Sequence, residues 1–277
     1  MSEPALTSAR DDAARLKRRV EYFLSSPLLG RAEVSAFARA AALRGDVYIV
    51  GGMLRDLFLA GNRSFSSDID FIISECSSSD FDALMLPLGA RRNRFGGYRI
   101  QLQKWSVEMW RLEDTWAHRE GLCDVFTVED VGKTTFFDWD PIFYNVARRD
   151  VLVEPDYFQR LRNRILEVRL GKSPNPLANI VRALRYANKW DALFGPGLAR
   201  LVLQTIVDTG WERLRSYEMA SFHDPQLPLL DGDDVEHRLR RYERTGDLSW
   251  LRIGRRAVQP SLPLSDGSDP RQLSLML

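Results

Sequence analysis

Residues 47–73, VYIVGGMLRDLFLAGNRSFSSDIDFII, decide how this chain folds. Val47-Tyr48-Ile49-Val50 is a short β-rich run that stops at Gly51-Gly52. Met53 to Ala60 has helical spacing and is closed by Gly61. A polar loop, Asn62 to Ser67, leads into a second strand, Ile69 to Ile73. Residues two apart on a strand point to one side, so Asp68 and Asp70 form a carboxylate pair. Such a pair suits a hard divalent cation such as Mg²⁺, and keeping two anions together is costly without one. The apolar run after Asp70 predicts a buried strand with the aspartates near its start. Glycines between a strand and a helix let backbone N–H groups approach phosphate oxygens, and the helix dipole adds to this. Either feature alone is commonplace, because Asp marks many surface turns and Gly-Gly many strand-to-helix turns.

The flanks extend this into a mixed α/β unit. Residues 12–25 predict a helix in which Leu16, Val20, Phe23 and Leu24 share a face. A second, Ala-rich helix covers about 31–44. A helix over about 80–86 follows the second strand, and then a hairpin, Gly97 to Gln103 with Ser106 to Leu112, alternates in polarity. Glu108 shares its strand face with Ser106 and Trp110. Beyond about residue 140 strands become sparse. Helices are predicted at 156–164, 177–190, 196–208 and 234–245. In the second, Leu177, Ile180, Val181, Leu184 and Ala187 make an apolar face beside a basic stripe of Arg182, Arg185 and Lys189.

Composition narrows the class. The 277 residues carry 39 Lys and Arg against 38 Asp and Glu, a net charge of +1, so a uniformly basic nucleic-acid coat is excluded and any basic surface is local. Two distant cysteines, Cys76 and Cys123, make no disulfide framework, and His118, His223 and His237 form no zinc-binding pair. No stretch approaches the ~20 apolar residues of a membrane span, and the first residues lack an apolar signal core. The expectation is a cytoplasmic protein without a membrane partner.

The order strand, GGxxRD, helix, polar loop, DxD, strand resembles the head of class II tRNA nucleotidyltransferases and bacterial poly(A) polymerases, within the polymerase-β nucleotidyltransferase superfamily. The matching residues are Gly51, Gly52, Arg55, Asp56, Asp68, Ile69 and Asp70. Glu108 and Arg111 are similar, at shorter spacing, to that family's E-V-x-x-x-R strand. RALRYA, Arg182 to Ala187, resembles its RAVRFA neck helix. The resemblance covers about residues 45–205. It implies an α+β fold, with a nucleotidyltransferase head followed by an all-α neck. The expected divisions are a helical extension (1–45), the head (46–140), a helical neck and body (141–255), and a disordered tail (256–277). It also implies a Mg²⁺-dependent transfer of a nucleoside monophosphate from an NTP to a hydroxyl, most simply an RNA 3′ end. Asp68 and Asp70 are then the metal-holding catalytic residues, with Glu108 as a third. Gly51, Gly52, Arg55, Asp56, Arg111, Asn145, Arg182 and Arg185 would contact the nucleotide.

Two departures qualify this. The family's R-R-D-[FL]-T-x-N motif corresponds here to FFDWDPIFYN. Asn145 remains, but the R-R-D positions read Trp139, Asp140 and Pro141, leaving triphosphate binding to other cations such as Arg91, Arg92 or Arg94. The base-reading E-D-x-x-R motif corresponds to Asn175, Pro176 and Asn179, so standard C-C-A addition is not expected. Two other readings stay open: the same chemistry on a protein or small-molecule hydroxyl, and a non-catalytic nucleotide- or nucleic-acid-binding adaptor. The last residues, QLSLML, resemble a peptide that docks on the bacterial DNA sliding clamp through Gln272, Leu273, Leu275 and Leu277; packing on the chain's own neck is the alternative.

Overall fold

The structure, a computed structural model, describes residues 3–62, 65–93 and 96–254. The chain opens with α1 (Glu3–Ser25) and α2 (Arg31–Ala41), followed by β1 (Asp46–Val50), α3 (Gly52–Ala60) and β2 (Ile69–Ser74). Next come α4 (Ser78–Met85), β3 (Arg91–Arg92), β4 (Tyr98–Gln101) and β5 (Ser106–Arg111). Two short helices, α5 (Trp116–Arg119) and α6 (Val128–Val131), lead to β6 (Ile142–Asn145), β7 (Asp150–Val153) and α7 (Tyr157–Arg162). The neck contains α8 (Pro176–Trp190), α9 (Pro196–Thr209), α10 (Trp211–Ser221) and α11 (Gly232–Thr245).

Seven strands form one mixed sheet in the order β3-β4-β5-β2-β1-β6-β7, and Ile165–Leu166 pairs separately with Leu193–Phe194. Among the described residues, β2 with β5 is the one parallel pair in this sheet. Strand alternation sorts the side chains into two faces. Val47, Ile49, Ile69, Phe71, Ile73, Val107 and Met109 face the main core, together with Leu16, Val20 and Phe23 of α1. The opposite face carries Tyr48, Ile72 and Phe143, which a smaller cluster from Leu112, Val125, Val128 and Val131 covers. That cover ends short of Asp70, so the start of β2 stays open on this face.

The helix periodicities read from the sequence correspond to real buried faces. Leu16, Val20 and Phe23 are fully buried, as are Val181, Leu184 and Ala187 of α8. Phe23, Phe65 and Trp105 form an aromatic cluster with centroids 5.2–5.9 Å apart. It ties α1 to the loop before Asp68 and to the β4–β5 connection, which steadies the approach to the carboxylate pair.

Three expectations need correction. The sheet does not end near 140, because β6 pairs with β1 and β7 with β6. The sheet thus extends to Val153. β6 lacks the polar alternation that marks a half-buried strand, because all four of its residues are buried. Nor do residues 3–45 stand apart as an extension, since α1 and α2 supply part of the sheet's main core. Finally, the expected helices lack α10, whose apolar face is weak, with only Leu214 and Glu218 buried. The tail and its QLSLML peptide lie outside the described residues. Among the described residues no helix is long and apolar enough to cross a membrane.

Candidate active site

β2 and β5 lie parallel with Asp70 opposite Glu108. Both side chains belong to the open face, and Asp68, two residues before Asp70, shares it. The carboxylates meet because register, not sequence proximity, sets them side by side. Burial pushes the Asp70 carboxyl up to about 7, with repulsion from Glu108 and then Asp68 adding to the shift. Arg99, the cross-strand partner of Glu108 on β4, places its guanidinium against Glu108 and 3.4 Å from Asp68. That arginine partly neutralises the cluster.

The donor set fits a divalent cation of the Mg²⁺ type: hard carboxylate oxygens on one face, crowded enough to favour an added positive charge. Asp68 and Asp70 would hold it, with Glu108 behind Arg99. Among the described residues, no three His, Cys, Asp or Glu side chains already converge as a metal cage.

Gly51 joins β1 to α3 at φ 65°, ψ −122°, a region that a Cβ makes costly. Its N–H is bonded to the Ile142 carbonyl at 3.0 Å, which fixes the turn to β6. Gly51→Ala is expected to destabilise the protein by about 1–3 kcal/mol; urea denaturation checks this, and an unchanged midpoint would contradict the strained turn.

Arg55 lies beneath that turn. It is buried, donates to Asp56 at 2.9 Å and to Asp140 at 2.7 Å, and stacks on Tyr186 at 4.5 Å. Burial alone would lower its pKa, but Tyr186, Asp56 and Asp140 more than offset this and keep it charged. Arg182 of α8 donates to the same Asp140 at 3.3 Å and to the Tyr186 hydroxyl at 3.1 Å. The two arginines and Asp140 thus join the sheet to the neck. In the sequence Asp140 stands where the family motif has an arginine.

These groups line one cleft of about 1060 Å³ between sheet and neck. Asp68, Asp70, Gly51, Gly52, Arg55, Asp56, Arg182 and Arg185 all border it. Arg185 is held by Glu218 at 2.6 Å and Asp224 at 2.7 Å, so it also clamps α8 to α10 and the following loop. Two predicted nucleotide contacts are not brought to the cleft. Arg111 sits at the far end of β5, bound to Asp114 and to the Cys76 carbonyl. Asn145 is buried in β6 and accepts the Arg148 N–H, closing the β6–β7 turn. Arg91 and Arg92 lie exposed on β3, and Arg94 is outside the described residues.

The neck asparagines have other partners. Asn175 caps α8 and donates to Tyr217, and Asn179 donates to Ser173 at 2.7 Å. Both also border the cleft.

No protein-family model matches this chain, and no curated protein matches it. Solved structures do. A Thermotoga maritima CCA-adding enzyme complexed with tRNA superposes with TM-score 0.53 at 17% identity, over 84% of this chain and 53% of that one. A CCA-adding enzyme with CTP gives 0.52 at 18%, over 85% and 63%. A tRNA nucleotidyltransferase complexed with a primer tRNA and an incoming ATP analog gives 0.51 at 17%, over 75% and 61%. The chain spans little more than half the length of several of these relatives. It shares with them an α+β fold, a mixed-sheet domain followed by helices, and that is the fold of the tRNA nucleotidyltransferases.

Proposed function

We propose that this protein is a nucleotidyltransferase that moves a nucleoside monophosphate from an NTP to a hydroxyl at an RNA 3′ end. The observation that carries this is that Asp68 and Asp70 border the cleft that also holds the Gly51–Gly52 turn, with Glu108 paired to Asp70 on the neighbouring strand. In this reading Asp68 and Asp70 hold Mg²⁺, and Glu108 completes the acidic surface. Bound Mg²⁺ would offset the charge of the triphosphate and of the attacking and leaving oxygens. The turn and the first amides of α3 face the triphosphate, with Arg55 supporting the turn from below. The neck wall, with Lys172, Arg182 and Lys189, gives the cleft the positive charge that an NTP requires.

The test is incubation with each labelled NTP, Mg²⁺ and total RNA. Label in RNA that disappears with Asp68→Ala supports the reading; label in protein, or none at all, rejects it.

Base choice follows from the neck. With Asn175 capping α8 and Asn179 bound to Ser173, the base-edge pair of a CCA-adding site is missing. A site without matched polar groups discriminates poorly among bases. We therefore expect no ordered C-C-A synthesis on tRNA lacking its end, and sequencing the treated 3′ ends checks it; faithful restoration would contradict this. Clamp docking through Gln272, Leu273, Leu275 and Leu277 remains part of the proposal, supported by the peptide's pattern. Titrating clamp with the terminal peptide tests it, and no heat at high micromolar peptide rejects it.

A further inference from the structure

The chain has seven tryptophans. Trp105 and Trp139 are buried in the main core, and Trp190 and Trp211 pack against it. Trp250 stands against His237, Arg238 and Arg241. Trp110 and Trp116 belong to neither core cluster, and both line the cleft.

Their position is specific. Trp110 follows Glu108 by two residues on β5, so it lies on the carboxylate face about 7 Å further along the strand. It pairs with Ile72, itself two residues past Asp70. Its indole is seated against Gly97: a Cβ there would lie 2.3 Å from two ring atoms. The ring is thus held as a fixed wall. Thr115, immediately before Trp116, is 9% exposed and lines the same cleft. It occupies the N-cap position of α5, yet its hydroxyl makes no capping bond and has no hydrogen-bond partner. A buried hydroxyl left unpartnered at a cleft wall is costly unless a ligand completes it.

The cleft therefore has two ends flanking the carboxylates. The neck end is polar and basic, and the sheet end is aromatic with one free hydroxyl. Two indoles suit a flat, weakly polar ring, and nucleobases stack on such platforms with little regard to sequence.

Resting on the proposed transferase activity, we infer that the Trp110–Trp116 end of the cleft binds the 3′-terminal nucleoside of a single-stranded RNA acceptor. The base stacks on the indoles. The Thr115 hydroxyl pairs with the ribose 2′-hydroxyl, the group that separates RNA from DNA. This places the terminal sugar beside Asp70 and Glu108 and leaves the neck end to the NTP.

The test is binding without chemistry. A 5′-fluorescein RNA 12-mer, the same RNA with an abasic 3′ residue, and a DNA 12-mer of matching sequence are titrated by anisotropy in EDTA with the full chain. The abasic RNA is expected to bind about 5- to 150-fold more weakly than the intact RNA, the worth of one base–aromatic stack. Trp116→Ala and Trp110→Ala should weaken intact RNA to the abasic level and abolish the difference, while Trp116→Phe retains most of it. Thr115→Val should remove the preference for RNA over DNA. Equal binding of intact and abasic RNA by the unmodified protein overturns the inference, even if a Trp variant fails to fold. Ala variants that bind like the unmodified protein, DNA bound more tightly than RNA, or no oligonucleotide bound at all overturn it too. RNA bound with these signatures but never labelled from any NTP would refute the transferase reading alone. RNA labelled normally by both Ala variants would refute the stacking site alone.

Discussion

Asp70→Asn should abolish nucleotide transfer and, in metal-free buffer at pH 8, make the protein more stable. Both effects come from the same crowding. The carboxylate lies beside Glu108 on β5 and shares its face with Asp68, and burial with their repulsion lifts its pKa to about 7. A group whose folded pKa lies above its unfolded value costs nothing below about pH 4. The penalty grows as pH rises through 7 and is complete above it. A shift from 3.8 to about 7 corresponds to at most about 4 kcal/mol, and water at the open cleft mouth reduces that. The asparagine variant is therefore expected to melt roughly 3–8 °C higher at pH 8 and close to the unmodified protein at pH 4. Mg²⁺ should raise the melting temperature of the unmodified protein and leave the variant nearly unmoved. Transfer should fall by ~10³-fold or more, since losing a ligand removes several kcal/mol of transition-state stabilisation. Melting curves at both pH values with and without Mg²⁺, beside the labelled-NTP assay, check this. A variant that is less stable at pH 8, or that still transfers, would contradict the account.

The second large effect concerns Arg55→Met. Arg55 is buried and holds two carboxylates, Asp56 at 2.8 Å and Asp140 at 2.7 Å. Among the described residues, removing the guanidinium leaves Asp56 with no ion-pair partner and Asp140 with Arg182 at 3.3 Å. Breaking one side of a buried ion pair costs about 3–5 kcal/mol, because the partner charge stays buried. The expected fall in melting temperature is on the order of 10 °C. Asp140→Asn in the Arg55→Met background should be milder than the sum of the two single changes, as for residues in direct contact. A full double-mutant cycle measured by denaturant midpoints reads that coupling. Strict additivity would mean the pair does not join sheet to neck.

Several parts of this molecule were legible in the sequence because they depend on neighbours a few residues away. The β1–Gly51–α3 turn, the shared side of Asp68 and Asp70, and the parity that puts Glu108 with Ser106 and Trp110 follow from backbone periodicities of two and 3.6 residues. The buried faces of α1 and α8 follow from the same periodicity. Arg111 and Asn145 looked like site residues only because their motif positions matched. Arg111 lies at the end of β5 beyond Trp110, and Asn145 at the end of β6 away from the Gly51 turn, so neither side chain reaches the cleft.

What only tertiary structure decided involves contacts between distant parts of the chain. β6 and β7 join the sheet because Tyr48 meets Asn145 and Val50 meets Phe143, pairings no local pattern specifies. Arg55 finds Asp140 across 85 residues, and Arg182 finds it across 42. The place where a family arginine was absent thus became the carboxylate that binds two arginines. The sequence by itself determined the turn, the acidic strand and the helix faces, because short-range geometry sets them. The cleft, its paired charges and its two half-buried tryptophans required the fold, because strand register and helix docking alone determine which distant side chains meet.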